Sequence, residues 1–279
     1  MNTLLSLGHG YSAAALSARL IPLGWRVIGT TRNPERAEAM RAVGVEPLLW
    51  PGDLAPALRQ ATHILCSAAP DGSGDPFLQS DLAALQAASP TWVGYLSTTA
   101  VYGDHNGAWV DETTPVTPQS ARAVQRVLAE RQWLATRLPV HIFRLAGIYG
   151  PGRGPFEKVR DGTARRVIKV GQVFSRIHVD DIAETLLASM TNPNPGTIYN
   201  VCDDDPAPPE DVLAHAAALL GLPEPPAVPY DQAEMSPMAR SFYGESKKVS
   251  NRRIRSDLGV TLHYPTYREG LAALLQQGH

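Results

Sequence analysis

At 279 residues, 44% hydrophobic and 19% charged, the chain has the make-up of an ordinary globular protein with enough length to bury a sizeable core. Its 25 basic and 27 acidic residues leave a net charge of −2, which gives no footprint for nucleic acid or an anionic membrane. No apolar run approaches the ~20 residues that cross a bilayer, and the opening MNTLLSLGHG lacks a signal peptide's basic leader and long apolar core.

The first two-thirds alternates short apolar runs with amphipathic stretches, the pattern of β-α-β units on a parallel sheet. Leu4 to Leu7 reads as the first strand, Ser12 to Leu23 as a helix, and Arg26 to Thr30 as the second strand. A helix opened by proline follows over Pro34 to Val43, then strands at Val45 to Leu49 and Ile64 to Ala68. Phe77 to Ala88 reads as helix, Trp92 to Leu96 as strand five, Gln119 to Thr136 as a long helix and Val140 to Leu145 as strand six. Later come a helix over Asp180 to Met190 and a strand over Thr197 to Cys202. With right-handed crossovers these elements give an α/β doubly wound parallel sheet, a Rossmann fold. The only cysteines, Cys66 and Cys202, fall in expected buried strands, which fits a reducing cytoplasm better than a disulfide framework.

Composition shifts near Gly147. The loop YGPGRGPF and the prolines from Pro193 to Pro237 suggest a small, loop-rich C-terminal lobe, finished by helices near Arg252 to Leu258 and Tyr267 to Gln276. Residues 1–170 therefore read as the nucleotide-binding domain, with 179–202 returning to the sheet. Residues 203–279, with the 147–178 loops, read as a substrate lobe.

Gly8-His9-Gly10-Tyr11-Ser12-Ala13 follows a strand and opens a helix, where a dinucleotide fingerprint belongs. Gly8 suits a tight turn, Gly10 lets the backbone approach a pyrophosphate, and the helix amides would bind its charge. An NAD site usually carries a carboxylate at the end of strand two; here the stretch is Gly29-Thr30-Thr31-Arg32-Asn33. Arg32, helped by Thr31, could pair with a 2′-phosphate, which favours NADP while leaving NAD possible. Asp53 could accept from the adenine amino group, or cap a following short helix. Ser67, Ala68 and Ala69 are small enough for ribose and nicotinamide to lie close to the strand-four backbone.

The set GHGYSA, STTAVYGD, DETTPVTPQSAR, FRLAGIYGPGRG, FSRIHVDDIAE and GTIYNVCDD, in that order, resembles the extended branch of the short-chain dehydrogenase/reductase family, the sugar-nucleotide epimerase/dehydratase type. The resemblance implies a Ser/Thr–Tyr–Lys group. Thr98 matches the hydroxyl residue, but Arg122 stands where tyrosine is expected and Arg126 where lysine is expected. A guanidinium stays charged and cannot exchange protons, so Arg122 cannot replace the phenol. Arg126 could still hold the ribose or a phosphate. Tyr102 and Tyr149, in YG turns, and His9 and His178 are other conceivable proton carriers. Their plainer roles are packing at the sheet rim for the tyrosines, shaping the phosphate loop for His9 and opening a helix for His178. Arg122 could aim at an anionic substrate, with Tyr149, Arg176 and Arg240 as further substrate ligands and Arg153 as a weaker one.

The expected activity is NAD(P)-dependent redox chemistry or epimerisation on a small polar, anionic carbonyl- or sugar-type substrate, with Thr98 orienting the oxygen and Tyr102 or water giving the proton. The rival is a catalytically silent NADP-binding sensor or scaffold. The resemblance also makes a homodimer plausible. The eight histidines are scattered without ligand-like spacing, so no metal site is expected.

Overall fold

The computed structural model describes residues 1–279. In chain order the elements are β1 (Thr3–Leu7), α1 (Tyr11–Leu20), β2 (Arg26–Thr31), α2 (Pro34–Ala42), β3 (Glu46–Leu49), α3 (Ala55–Leu58), β4 (His63–Cys66) and α4 (Pro76–Ala87). Then follow β5 (Trp92–Thr98), β6 (Trp109–Val110), α5 (Ala121–Leu134), β7 (Val140–Leu145), β8 (Gly147–Tyr149), α6 (Phe156–Arg160), β9 (Arg166–Ile168) and β10 (Arg176–His178). The chain ends through α7 (Val179–Thr191), β11 (Ile198–Val201), α8 (Pro209–Leu219), β12 (Ala227–Pro229), α9 (Pro237–Phe242), β13 (Lys248–Val249), α10 (Arg252–Leu258) and α11 (Tyr267–Gln276).

Seven strands form one sheet in the order β11-β7-β5-β4-β1-β2-β3, every pair parallel. This is the doubly wound architecture expected from the alternation of elements. The strand order reverses between β1 and β4, and a crevice opens there at the carboxyl ends of the strands. Both sheet faces are covered, which is why all five residues of β1 are buried and no polar–apolar alternation marks it. Leu4, Leu65 and Phe143 point to the layer of α1, α2, α7 and α10, with Leu16, Met40, Ile182 and Ile254. Leu5, Leu7, Ile64 and Tyr95 point to the layer of α3, α4 and α5, with Leu58, Phe77 and Trp133. A third cluster joins α6, α8 and α11 through Phe156, Ala216 and Leu271. No helix is long and apolar enough to cross a membrane.

The strand and helix positions expected from the sequence agree to within two residues, apart from the carboxyl end of the first helix. Pro22 ends α1 early, and the chain continues as a 3-10 turn over Ile21–Leu23. The loop-rich reading of the second lobe missed α8 and the short parallel pairs β10-β8, β12-β9 and β13-β6. For α8 a signal was present: Pro209 at the first turn and Glu210 and Asp211 behind it are helix-start chemistry. The two-residue strands β6 and β13 carry no periodicity to read.

Candidate cofactor and substrate cleft

The turn after β1 is fixed by its neighbours. Gly8 adopts φ +79°, and a Cβ there would stand 2.9 Å from the Ala68 amide nitrogen. The Gly8 amide donates to Thr30 Oγ1 at 2.7 Å, and Ser67 Oγ donates to the Gly8 carbonyl. Gly10 then caps α1 without a side chain, and no carboxylate stands in the first helical turn. The helix mouth thus presents its free amides and positive dipole end to whatever lies at the switch point. His9 is buried against Gly29 with Nδ1 unpartnered, and burial, then the charge of Arg36, pulls its pKa down to about 4.

On one side of the turn lies a cavity of ≈ 300 Å³ lined by Thr31, Arg32, Arg36, Trp50, Ala68 and Ala69, among others. None of its lining residues is a carboxylate. The Arg32 guanidinium lies 4.8 Å over the Trp50 ring, and Arg36 Nη2 donates to the His9 carbonyl at 3.2 Å. Arg36, in the first turn of α2, was not singled out from the sequence. Asp53 corrects one expectation. It does not line this cavity; its Oδ1 accepts from the Ala55 amide at 2.9 Å and fixes the turn that leads into α3.

On the other side a larger cleft of ≈ 620 Å³ runs from Gly10, Tyr11, Ser12 and Ser67 across the ends of β5 and β7 to the second lobe. Thr98, Arg122, Arg126, Tyr149 and Arg176 all line it, although they come from four separate elements. Thr98 Oγ1 accepts from the Ala100 amide at 3.2 Å, leaving its own proton to donate. Arg122 is exposed at the start of α5. Arg126, one turn on, uses Nη1 to reach the Leu96 carbonyl (2.7 Å), the Tyr95 hydroxyl (3.1 Å) and the Ala68 carbonyl (3.2 Å). It ties the ends of β4 and β5 together at the floor of the cleft.

Two further expectations are overturned. Tyr102 has no exposed surface and does not line the cleft. Its hydroxyl donates to Asn200 Oδ1 at 2.7 Å and accepts from Arg144 at 3.0 Å. Arg144 is a buried strand residue that also holds Glu130 through both carboxylate oxygens, at 2.8 and 3.1 Å. A charge buried inside the sheet requires this full set of partners, so Tyr102 serves the interior and not the reaction. Arg240 is exposed on α9, donates to the Ala233 carbonyl at 2.9 Å and covers Tyr230 at 5.2 Å; it does not line the cleft. His178 caps α7 by accepting from the Asp180 amide.

The charge of the cleft is predominantly positive. Arg122, Arg126, Arg153 and Arg176 line it, and none has a carboxylate within salt-bridge distance. Arg176 Nη1 is held only by the Phe174 and Ala207 carbonyls at 2.9 and 3.0 Å, and burial lowers its pKa. Burial lifts Tyr149 well above the ordinary phenol range, and Tyr11 is likewise raised. Sequence reading missed Glu245 and Lys247, which line the same cleft from the carboxyl-terminal third of the chain. Nothing in the run GESKK marks them, because their position depends on β13 pairing with β6.

Residues 79–202 match the model of the NAD-dependent epimerase/dehydratase family. Protein YeeZ of Escherichia coli (strain K12) is 30% identical over 285 residues, covering 95% of this chain and 97% of YeeZ. A conserved protein of unknown function from Silicibacter pomeroyi DSS, of known structure, is 61% identical over the whole of both chains, with a TM-score of 0.95. The UDP-glucuronic acid 4-epimerase of Bacillus cereus, solved with NAD, shares the fold at TM-score 0.79 and 16% identity, with 99% of this chain and 98% of that one covered. A dinucleotide turn on a doubly wound sheet, the matched segment and the full-length relative agree: this chain belongs to the NAD-dependent epimerase/dehydratase family.

Proposed function

We propose that this protein is an NADP(H)-preferring oxidoreductase or epimerase whose substrate is a small anionic carbonyl- or sugar-type molecule. The observation that carries the reading is the row of four cleft-lining arginines without carboxylate partners. Arg126 and Arg176 are half-buried, where a cation without a salt-bridged carboxylate is costly unless an anion completes it, and the exposed Arg122 and Arg153 add to the positive field. Four of them exceed what one pyrophosphate at the helix mouth would use.

The residues present fit the dinucleotide. The Gly8 turn and the uncapped start of α1 suit the pyrophosphate, and the smaller cavity suits the adenosine end. Arg32 and Arg36 beside Thr31 suit a 2′-phosphate, and no carboxylate is there to hold the 2′-hydroxyl of NAD. When bound, the nicotinamide supplies or accepts a hydride. Thr98 then donates to the substrate oxygen, while Arg122 and Arg176 hold its anionic group. NADPH titration against NADH tests the first half. Arg32→Ala is expected to weaken NADPH by ~10- to 100-fold, the loss of one charge-assisted bond, and to leave NADH unchanged.

A second reading, a nucleotide sensor without turnover, rests on the Arg122 and Arg126 pair, since neither exchanges protons and Arg126 is already engaged by three acceptors. Tight NADPH binding without oxidation by any small anionic carbonyl would favour it.

A further inference from the structure

We propose that Lys247 is the proton donor of this cleft, held in place by Glu245, on the premise that the redox reading above is right. The argument begins by elimination. The titratable groups lining the cleft are four arginines, Tyr11, Tyr149, Glu245 and Lys247. Arginine does not give up its proton near neutral pH. Tyr11 directs its hydroxyl proton to the Pro151 carbonyl at 3.0 Å, and the buried Tyr149 hydroxyl points at the Thr266 carbonyl. Tyr102 is sealed within the sheet. Only the Glu245–Lys247 pair remains.

Its geometry is suited to the task. Lys247 is 9% exposed, and its Nζ donates to the Gly103 carbonyl at 2.7 Å and to Glu245 Oε2 at 2.6 Å. An ammonium carries three donors, so one N–H has no protein partner although the group lies almost wholly out of water. Gly103 follows the 3-10 turn begun by Thr98, so the lysine is anchored to the segment that carries the substrate-orienting hydroxyl. The anchoring backbone is held by further hydrogen bonds. Ser246 accepts from the His105 and Gly107 amides through its carbonyl, and its own amide donates to Asp104 Oδ1. Lys248 pairs with Trp109 in the next step of the ladder. Glu245 holds the ammonium in place through the 2.6 Å contact of its Oε2.

In the reductive direction the carbonyl carbon takes the hydride of the reduced nicotinamide, which is oxidised. The carbonyl oxygen takes a proton from Lys247 Nζ: one N–H bond breaks and one O–H bond forms. Water at the cleft mouth returns a proton to the neutral amine. The reverse direction runs the same transfers backwards.

The test compares wild type, Lys247→Met, Lys247→Arg and Glu245→Gln, with pyruvate and phenylpyruvate as probe carbonyl anions. NADPH binding is followed by fluorescence and NADPH oxidation by absorbance across pH 5 to 10. Lys247→Arg keeps the charge and the bond to Gly103 but cannot release a proton, so it separates chemistry from folding. Both lysine variants are expected to bind NADPH as wild type does and to lose oxidation by ~10²- to 10⁴-fold. Glu245→Gln, which loosens the hold on Nζ, is expected to lower the rate of NADPH oxidation and leave NADPH affinity unchanged. A Lys247→Arg enzyme within ~3-fold of wild type, with the same pH profile, overturns the role of Lys247. Wild-type protein that binds NADPH yet oxidises it with neither probe overturns the redox reading instead.

Discussion

At position 8 a single methyl group is enough to disrupt the nucleotide turn, because the backbone there is left-handed and Ala68 closes in from the neighbouring strand end. Gly8→Ala is expected to weaken dinucleotide binding by ~10-fold or more and to cost about 1–2 kcal/mol of stability, read by titration and denaturant unfolding. The two cleft arginines of α5 should separate cleanly. Arg126→Ala removes the partner of the Leu96 and Ala68 carbonyls and the Tyr95 hydroxyl, all partly or fully buried, so it is expected to destabilise the fold by about 1–3 kcal/mol. Arg122→Ala, exposed and without a hydrogen-bond partner of its own, should leave Tm unchanged and weaken only the anionic substrate. A large drop in Tm for Arg122→Ala would contradict this division. That both arginines face the cleft was legible from the family frame. That one is structural was not, since its acceptors lie 30 and 58 residues away in sequence.

Among the elements, α5 presents a second surface besides its cleft end. Val124 and Leu128, one turn apart, are 52% and 37% exposed, and Leu82 on α4 is 40% exposed. Leucine and valine left in water on adjoining helices suit a homodimer whose interface covers both helices. Leu128→Glu is expected to shift the protein from dimer to monomer in light-scattering chromatography without altering NADPH affinity. A monomeric wild type would remove the idea. The element boundaries themselves were readable wherever a helix or strand buries a regular stripe: β7, α10 and α11 fall where the periodicity places them. They were least readable in the second lobe, where two- and three-residue strands are defined only by their partners.

The molecule as a whole carries a pH signature set by its buried groups. Burial pulls His9, His63 and His178 down to about 4 and pushes Asp203 up to about 8. Between pH 6.5 and 4 the unfolded chain takes up protons at three histidines that the folded chain excludes. The folded chain holds one at Asp203 that the unfolded chain has released. The histidines outnumber the aspartate, so these four groups make stability fall as pH drops through that window. From 6.5 to 8 only Asp203 differs, and its effect reverses the slope. These groups place maximal stability near pH 6.5, and Tm measured from pH 4.5 to 8.5 should trace a shallow maximum there. His63→Phe, which keeps the aromatic contact with Trp25 at 4.6 Å, should flatten the acid side. A Tm unchanged between pH 4.5 and 6.5 would contradict the assignment. By itself the sequence determined the doubly wound sheet, the glycine turn and its helix, and the absence of the usual tyrosine and lysine, because each is written in local periodicity or in one short motif. Tertiary structure alone decided that Tyr102 and Asp53 serve the scaffold, that Arg240 stays on the surface, and that Glu245 and Lys247 enter the cleft. Those outcomes depend on which distant strand ends meet, and burial, charge compensation and hydrogen-bond partners exist only once they do.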